Sequence, residues 1–396
     1  MDLVTSLGNL TLDNSHDILP DSLPFLSSTH CPFSRAQLNG VDDFLHRLFD
    51  ARSEGFNDEI WVKSRDATLS RPQRTTNILE RSDKTSVAAM LSRHLWWEGE
   101  NDEEDNLVSW TSSFLFVLQY AFYRKRYHGT DFKTMFICTV DTRQLPADVY
   151  VRDMDLINAH SPLNSRLSDL QRIRLGPHYF GEFLSQGALR IEGHCSIVSM
   201  QDILDAGLFR LRPEFEGFET RPPTWANEVV RLRRTDASAD EITRLDCGHV
   251  EIAEHIGHLF GARFKWPVVL ACLALKPWDE LETHLMDALT QPAFAEIKQL
   301  AISSSKIKVV ASAGLPEVLR VEEIAQTIST NLLLDRALKE TQLAKNKLKY
   351  VLAVLAEEGF TRKLSTNRVR ESKTVILRDL EDIVECVLAV QEVASE

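Results

Sequence analysis

The stretch Ser109-Trp110-Thr111-Ser112-Ser113 runs straight into Phe114-Leu115-Phe116-Val117-Leu118-Gln119-Tyr120-Ala121-Phe122. Four small hydroxyl side chains stand beside a tryptophan where the strand-like Leu107 and Val108 give way to an apolar helix. A turn at that point leaves backbone N–H groups without intrahelical partners. The hydroxyls can cap them. They can equally face a pocket and hold another polar side chain, and residue types alone leave both readings open.

Working outward, the helix extends to about Arg126 and closes on Arg124-Lys125-Arg126, where cations suit a helix C-terminus. Residues 134–140, β-branched and aromatic, predict a strand that ends at Asp141-Thr142-Arg143, with a second strand at 149–151. Upstream, residues 44–50 predict a strand and 51–55 a turn. Residues 63–82 read as loop and 86–97 as helix. Residues 98–105 carry six acids in eight positions, most simply a solvated surface loop. Downstream, 178–186 read as helical or irregular, 189–191 and 195–198 as short strands, and Ser199 as the cap of a helix reaching Gly207. Residues 41–212 therefore predict an α+β mixture. From Trp225 the periodicity is mainly helical, at 225–232, 250–260, 268–275, 278–289, 319–358 and 375–393. The expected organisation is a loose lead-in over 1–40, an α+β domain over 41–235, a helical region over 236–315 and a C-terminal helical domain over 316–396.

Composition bounds the function classes. The chain has 396 residues, 43% of them hydrophobic, enough for a real core. A net charge of −13 weighs against a chain that coats nucleic acid or an anionic membrane. No apolar run reaches the roughly 18 residues a spanning helix needs, and the N-terminus lacks the pattern of a secretory signal. Six scattered cysteines without a CxxC pair suit reduced thiols, so a cytoplasmic or nuclear location is expected.

Three segments stand out in order: His46-Arg47-Leu48-Phe49-Asp50, then Ser109-Trp110-Thr111-Ser112-Ser113, then Tyr179-Phe180-Gly181-Glu182-Phe183-Leu184-Ser185-Gln186-Gly187. An arginine on an early strand, a Ser-Thr-Ser-like turn and a glutamate before a strand resemble ADP-ribosyltransferase-like domains. Residues 41–235 are also similar to a group of uncharacterised fungal proteins that share the SWTSS turn, the Asp-Thr-Arg strand end, the FGEFLSQG segment and a closing stretch that here is Trp225-Ala226-Asn227-Glu228-Val229 to Arg233. The resemblance implies an ADP-ribosyltransferase-like α+β fold, with NAD as substrate. It implies Glu182 as the catalytic carboxylate and Arg47 as a dinucleotide ligand. Ser109, Thr111 and Ser112 would form the turn, and Tyr179 or Phe180 would stack on nicotinamide.

The chemistry is coherent. An arginine fork holds phosphate bidentately. A carboxylate stabilises the oxocarbenium-like ribose left by nicotinamide, and serine hydroxyls keep both in register. The chain departs from the family at two points. Trp110 interrupts the turn, so either Ser109-x-Thr111 or Thr111-Ser112-Ser113 is the counterpart. Phe180 stands where an acid or glutamine that recognises a target usually precedes the glutamate. His46 and Arg47 point to opposite faces of a strand, so only one enters a pocket. The plain alternatives are a salt-bridging arginine and a surface glutamate.

Cys247-Gly248-His249 with His255 and His258 lacks zinc-finger and HExxH spacing, and its helix is already amphipathic, so no metal is expected. No GxSxG, P-loop or GxGxxG occurs. Residues 331–376 hold ten Lys and Arg against five Asp and Glu. Helix followed by a basic hairpin loosely resembles a winged helix that contacts DNA through Arg362, Lys363, Arg368, Arg370 and Lys373. The plainer reading is a helical hairpin that docks on a protein partner. The functional expectation is ADP-ribosyl transfer from NAD, with a catalytically silent interaction module of the same fold as the alternative.

Overall fold

In the computed structural model Leu107–Thr111 is a strand, not a turn. Alternation then sorts its side chains. Trp110 is buried among Leu45, Val108, Cys138 and Phe183, edge-on to Tyr150 at 5.7 Å between ring centroids. Ser109 and Thr111 fall on the other face. The tryptophan between the hydroxyls is what a strand with one aromatic-packed face requires. Ser113 is the N-cap of the next helix, its Oγ accepting from Phe116 N at 3.1 Å. Both readings of the hydroxyls therefore apply, to different residues.

The structure describes residues 22–25, 40–98, 104–146, 148–219, 225–238, 245–278, 285, 289, 291–296, 315–356 and 378. Its strands are β1 (Ser22–Leu23), β2 (Phe44–Phe49), β3 (Phe56–Asn57), β4 (Trp61–Lys63), β5 (Leu107–Thr111), β6 (Phe136–Asp141), β7 (Val151–Arg152), β8 (Glu182–Arg190) and β9 (Cys195–Ser199). The helices used below are α1 (Lys84–Leu95), α2 (Phe114–His128), α3 (Asp153–His160), α4 (Ser165–Arg174), α5 (Met200–Asp205), α6 (Trp225–Ser238), α7 (Cys247–Leu259), α8 (Gly261–Leu273) and α9 (Pro316–Ala356). The strands form one antiparallel sheet in the order β3-β4-β8-β5-β2-β6-β9, with β1 and β7 also paired to β8. A mixed α+β region with a curled antiparallel sheet is thus followed by a mainly helical region.

Apolar clusters cover both faces of the sheet. Val87, Leu91, Leu107, Leu156, Leu167 and Leu184 pack on one, and Leu45, Val62, Trp110, Val140 and Phe183 on the other. Strand β8 is buried at every position but its last. This explains why 178–186 read as helical or irregular: a strand covered on both faces shows no alternation of apolar and polar residues. The segment read as loop over 63–82 contains a short helix, Arg65–Thr68, capped by Ser64.

The chain divides into two compact units, Met1–Asn331 and Leu332–Glu396. In the second, Leu333, Leu334 and Leu338 on α9 are exposed. The expected helices over 278–289 and 375–393 fall almost wholly outside the described residues, as do Arg362, Lys363, Arg368, Arg370 and Lys373. Among the described residues no helix is long and apolar enough to cross a membrane.

Candidate functional site

Strands β2, β5 and β8 lie side by side. β5 and β8 pair over five residues, ending with Thr111 opposite Glu182. This register makes Ser109 a diagonal neighbour of Glu182 on the same face. β2 and β5 meet at one register pair, His46 opposite Thr111, and then part. Arg47 spans the opening. Its Nη1 donates to the Ser109 carbonyl at 2.8 Å and its Nε to Asn57 Oδ1 at 2.9 Å. Burial pulls the Arg47 guanidinium down to about 10, still a cation at neutral pH. The His46 ring instead meets Thr139 Oγ1 at 2.9 Å and packs on Phe114 at 5.1 Å.

Where the strands part there is a cleft of about 740 Å³, bordered by Arg47, Ser109, Thr111, Phe180 and Glu182, with His46 also at its edge. Glu182 is held at both oxygens. Ser109 Oγ donates to Oε1 at 2.6 Å, and Arg174 Nη2 to Oε2 at 2.5 Å. Arg174 Nη1 also lies 2.8 Å from Asp153 Oδ2. Burial pushes the Asp153 carboxyl up to about 7 against the pull of Arg174, and Glu182 adds to the rise.

On the other side of Ser109 stands His94. Its Nε2 is 2.9 Å from Ser109 Oγ and its Nδ1 is 2.7 Å from Asp105 Oδ2. A continuous polar chain therefore runs Asp105, His94, Ser109, Glu182, Arg174, Asp153.

Thr111 stands opposite Glu182, and its Oγ1 donates to the Phe180 carbonyl at 2.5 Å and fixes the approach to β8. Ser112 lies outside the cleft and borders a small cavity of about 40 Å³ with His46, Phe114 and Glu317. Tyr179 is buried with Leu315 and Val318. Phe180 borders the cleft and stacks on Phe116 at 4.9 Å between centroids. Trp97 and Tyr120 extend this aromatic wall, 4.7 Å apart. Trp97 has φ of +59°, a left-handed backbone that a bulky side chain rarely adopts, and it sits at the cleft.

Gly181 delivers Glu182 to the site. Its φ is +66°, and a Cβ there would lie 2.2 Å from Ser112 Oγ and 2.7 Å from Leu315 Cδ1. The preceding loop is clamped from behind. Arg233 of α6 donates to the Tyr179 carbonyl at 2.8 Å and pairs with Glu317 at 2.6 Å, and Glu317 accepts from Ser113 Oγ at 2.5 Å.

Residues 40–190 match a domain of unknown function, DUF7587. No curated protein and no solved structure matches the chain. The matched segment ends on the last residue of β8 and contains every member of the polar chain from Asp105 to Asp153. Arg233 and Glu317, which brace it, lie outside.

Sequence reasoning missed His94, Asp105, Asp153 and Arg174. Asp105 stood in the acidic stretch read as a solvated loop, of which 99–103 lie outside the described residues. It is instead turned inward to His94, whose ring nitrogen Nδ1 lies 2.7 Å from Asp105 Oδ2 and takes the place of water as its hydrogen-bond partner. Helix α4 was overlooked, although it carried a signal: the Asn164 side chain caps it, and Leu167, Leu170 and Arg174 share its buried face.

The Cys247 and His249 pair serves a helix start. His249 completes a capping box with Asp246 on α7. Among the described residues Glu254, His258 and Glu296 lie close enough to hold a cation. The buried Lys265 ammonium occupies that place, 2.8 Å from Glu254, 2.7 Å from His258 Nε2 and 2.7 Å from Glu296.

Proposed function

We propose that the cleft binds a nicotinamide dinucleotide and that Glu182 serves transfer of ADP-ribose from NAD to an acceptor. The observation that carries this reading is that Arg47, Ser109 and Glu182, from three separate sequence segments, border one cleft. Each then has a chemical task. Arg47 offers a fork for the diphosphate. The Glu182 carboxylate stabilises positive charge as the bond to nicotinamide breaks, and Ser109 holds it in place. The wall of Phe180, Phe116, Tyr120 and Trp97 offers faces for a planar ring. A cleft of about 740 Å³ is of the size that encloses a small organic ligand.

Calorimetry with NAD and an assay of nicotinamide release test the reading. Binding is expected, with slow release to water as the acceptor. Glu182→Gln is expected to abolish release while keeping the fold, since it removes charge and preserves shape. Absence of binding at millimolar NAD overturns it.

One observation favours a second reading, a catalytically silent domain that acts in protein interaction. The Arg174 cation sits 2.5 Å from Glu182, beside the place where positive charge would develop. A fixed cation there opposes an oxocarbenium-like transition state. Binding of NAD without nicotinamide release is the outcome this second reading expects.

A further inference from the structure

We propose that the proton on His94 sets the direction of the Ser109 hydroxyl, and through it the grip on Glu182, so that His94 is a positioning residue of the transfer site. The inference rests on the transfer reading for its consequence in activity, but not for its geometry.

A serine hydroxyl has one proton to give. Ser109 Oγ has two neighbours that could take it, His94 Nε2 at 2.9 Å and Glu182 Oε1 at 2.6 Å. Asp105 Oδ2, 2.7 Å from Nδ1, keeps a proton on that nitrogen in either charge state, so Nε2 is the position that titrates. When His94 is an imidazolium, Nε2–H donates to Ser109 Oγ. The serine proton is then left for Glu182, and each link from Asp105 through His94 and Ser109 to Glu182 has both its donor and its acceptor. When His94 is neutral, Nε2 becomes an acceptor and competes for the same proton. A hydroxyl turned to His94 leaves Glu182 held by Arg174 alone. The carboxylate is then free to swing toward the cation and away from the cleft.

Among the described residues, the charged groups that act on His94 are Asp105, Glu182, Glu54 and Arg47. Asp105 precedes β5, Glu182 begins β8, Glu54 lies in the turn after β2, and Arg47 is on β2. Burial favours the neutral ring, but the charge and hydrogen bond of Asp105, with Glu182 in addition, outweigh burial and the opposing Arg47. The imidazolium is thereby favoured above the ordinary value of 6.5.

The test is a histidine nitrogen NMR titration of the full, unliganded chain, paired with the pH profile of nicotinamide release. His94 is expected to titrate above 6.5 and to show Nδ1–H when neutral. Glu182→Gln and Asp105→Asn should each lower that midpoint. Release should fall as pH rises through the same midpoint, and Asp105→Asn should carry this limb to lower pH. His94→Gln should remove the limb and cost roughly tenfold at pH about 6, the worth of one charge-assisted hydrogen bond. A side chain that merely packs would lower release equally at every pH. Titration below 6.5, an Nε2–H neutral ring or a limb unmoved by Asp105→Asn overturns the proposal. NMR reads the protein alone. A chain that shows the titration but never consumes NAD removes the transfer reaction and keeps the switch. A chain that consumes NAD with a low-titrating His94 does the reverse.

Discussion

Arg174 and Glu182 form a buried ion pair, Nη2 to Oε2 at 2.5 Å, with Asp153 on the other side of the same guanidinium. The cation offsets the mutual repulsion of two carboxylates this close. Arg174→Met should therefore destabilise the fold by about 3–5 kcal/mol, the cost of leaving buried charge without its partner. Adding Glu182→Gln should restore part of that loss, because one orphaned charge is removed. Urea denaturation of the parent, the two single variants and the double variant measures the coupling, and strict additivity would refute it.

Gly181 sets where β8 begins. Gly181→Ala places a methyl 2.2 Å from Ser112 Oγ on a backbone of positive φ. A cost of roughly 1–3 kcal/mol is expected, together with weaker ligand binding as Glu182 is displaced. Ser112→Ala in the same chain should relieve only part of the cost, since Leu315 Cδ1 remains 2.7 Å away. Thermal melts of the parent, Gly181→Ala and the double variant distinguish these outcomes.

His46 is buried against Thr139 and Phe114, and burial pulls its pKa from 6.5 to about 3. The folded state thus resists a proton that the unfolded chain accepts. The stability this contributes is fully present above 6.5 and is lost as pH falls toward about 3, at roughly 1.4 kcal/mol per pH unit. Asp153 acts with the opposite sign. Its raised folded pKa contributes stability at low pH that is lost as pH rises from the ordinary carboxylate range through about 7. The readout is therefore the difference between the parent and His46→Phe. The variant should show a shallower loss of stability between about pH 6 and 4.

Glu317 joins Arg233 to Ser113 behind the site. Glu317→Gln keeps the shape and removes the charge, and should cost about 1.5–3 kcal/mol. Because Arg233 also holds the Tyr179 carbonyl, faster amide hydrogen exchange is expected in the loop before Glu182. Unchanged exchange there would mean that the clamp does not govern the loop.

Much of the fold was legible because its signals are local. Apolar residues bounded by aromatics marked Phe44–Phe49, a β-branched and aromatic run marked Phe136–Asp141, and helical spacing with a hydroxyl cap marked Phe114–His128. Of strand β8 only the end, Leu189 and Arg190, was legible, because burial on both faces erased the alternation that identifies the rest as a strand. Helix α4 was passed over because it is mostly polar, with Leu167, Leu170 and Arg174 alone turned inward.

The sequence by itself determined the order Arg47, Ser109, Glu182 and the caps and periods that build the strands carrying them. Only the tertiary structure decided which charges meet. Asp105 looked solvated and is bound to His94. Arg174 looked unremarkable and is the counter-ion of Glu182. Helix caps and strand alternation depend on neighbours a few residues away, so they are written in the local sequence. The partner of a buried charge depends on strand register across the sheet. A shift of one residue would turn Ser109 away from Glu182, and no local pattern records that choice.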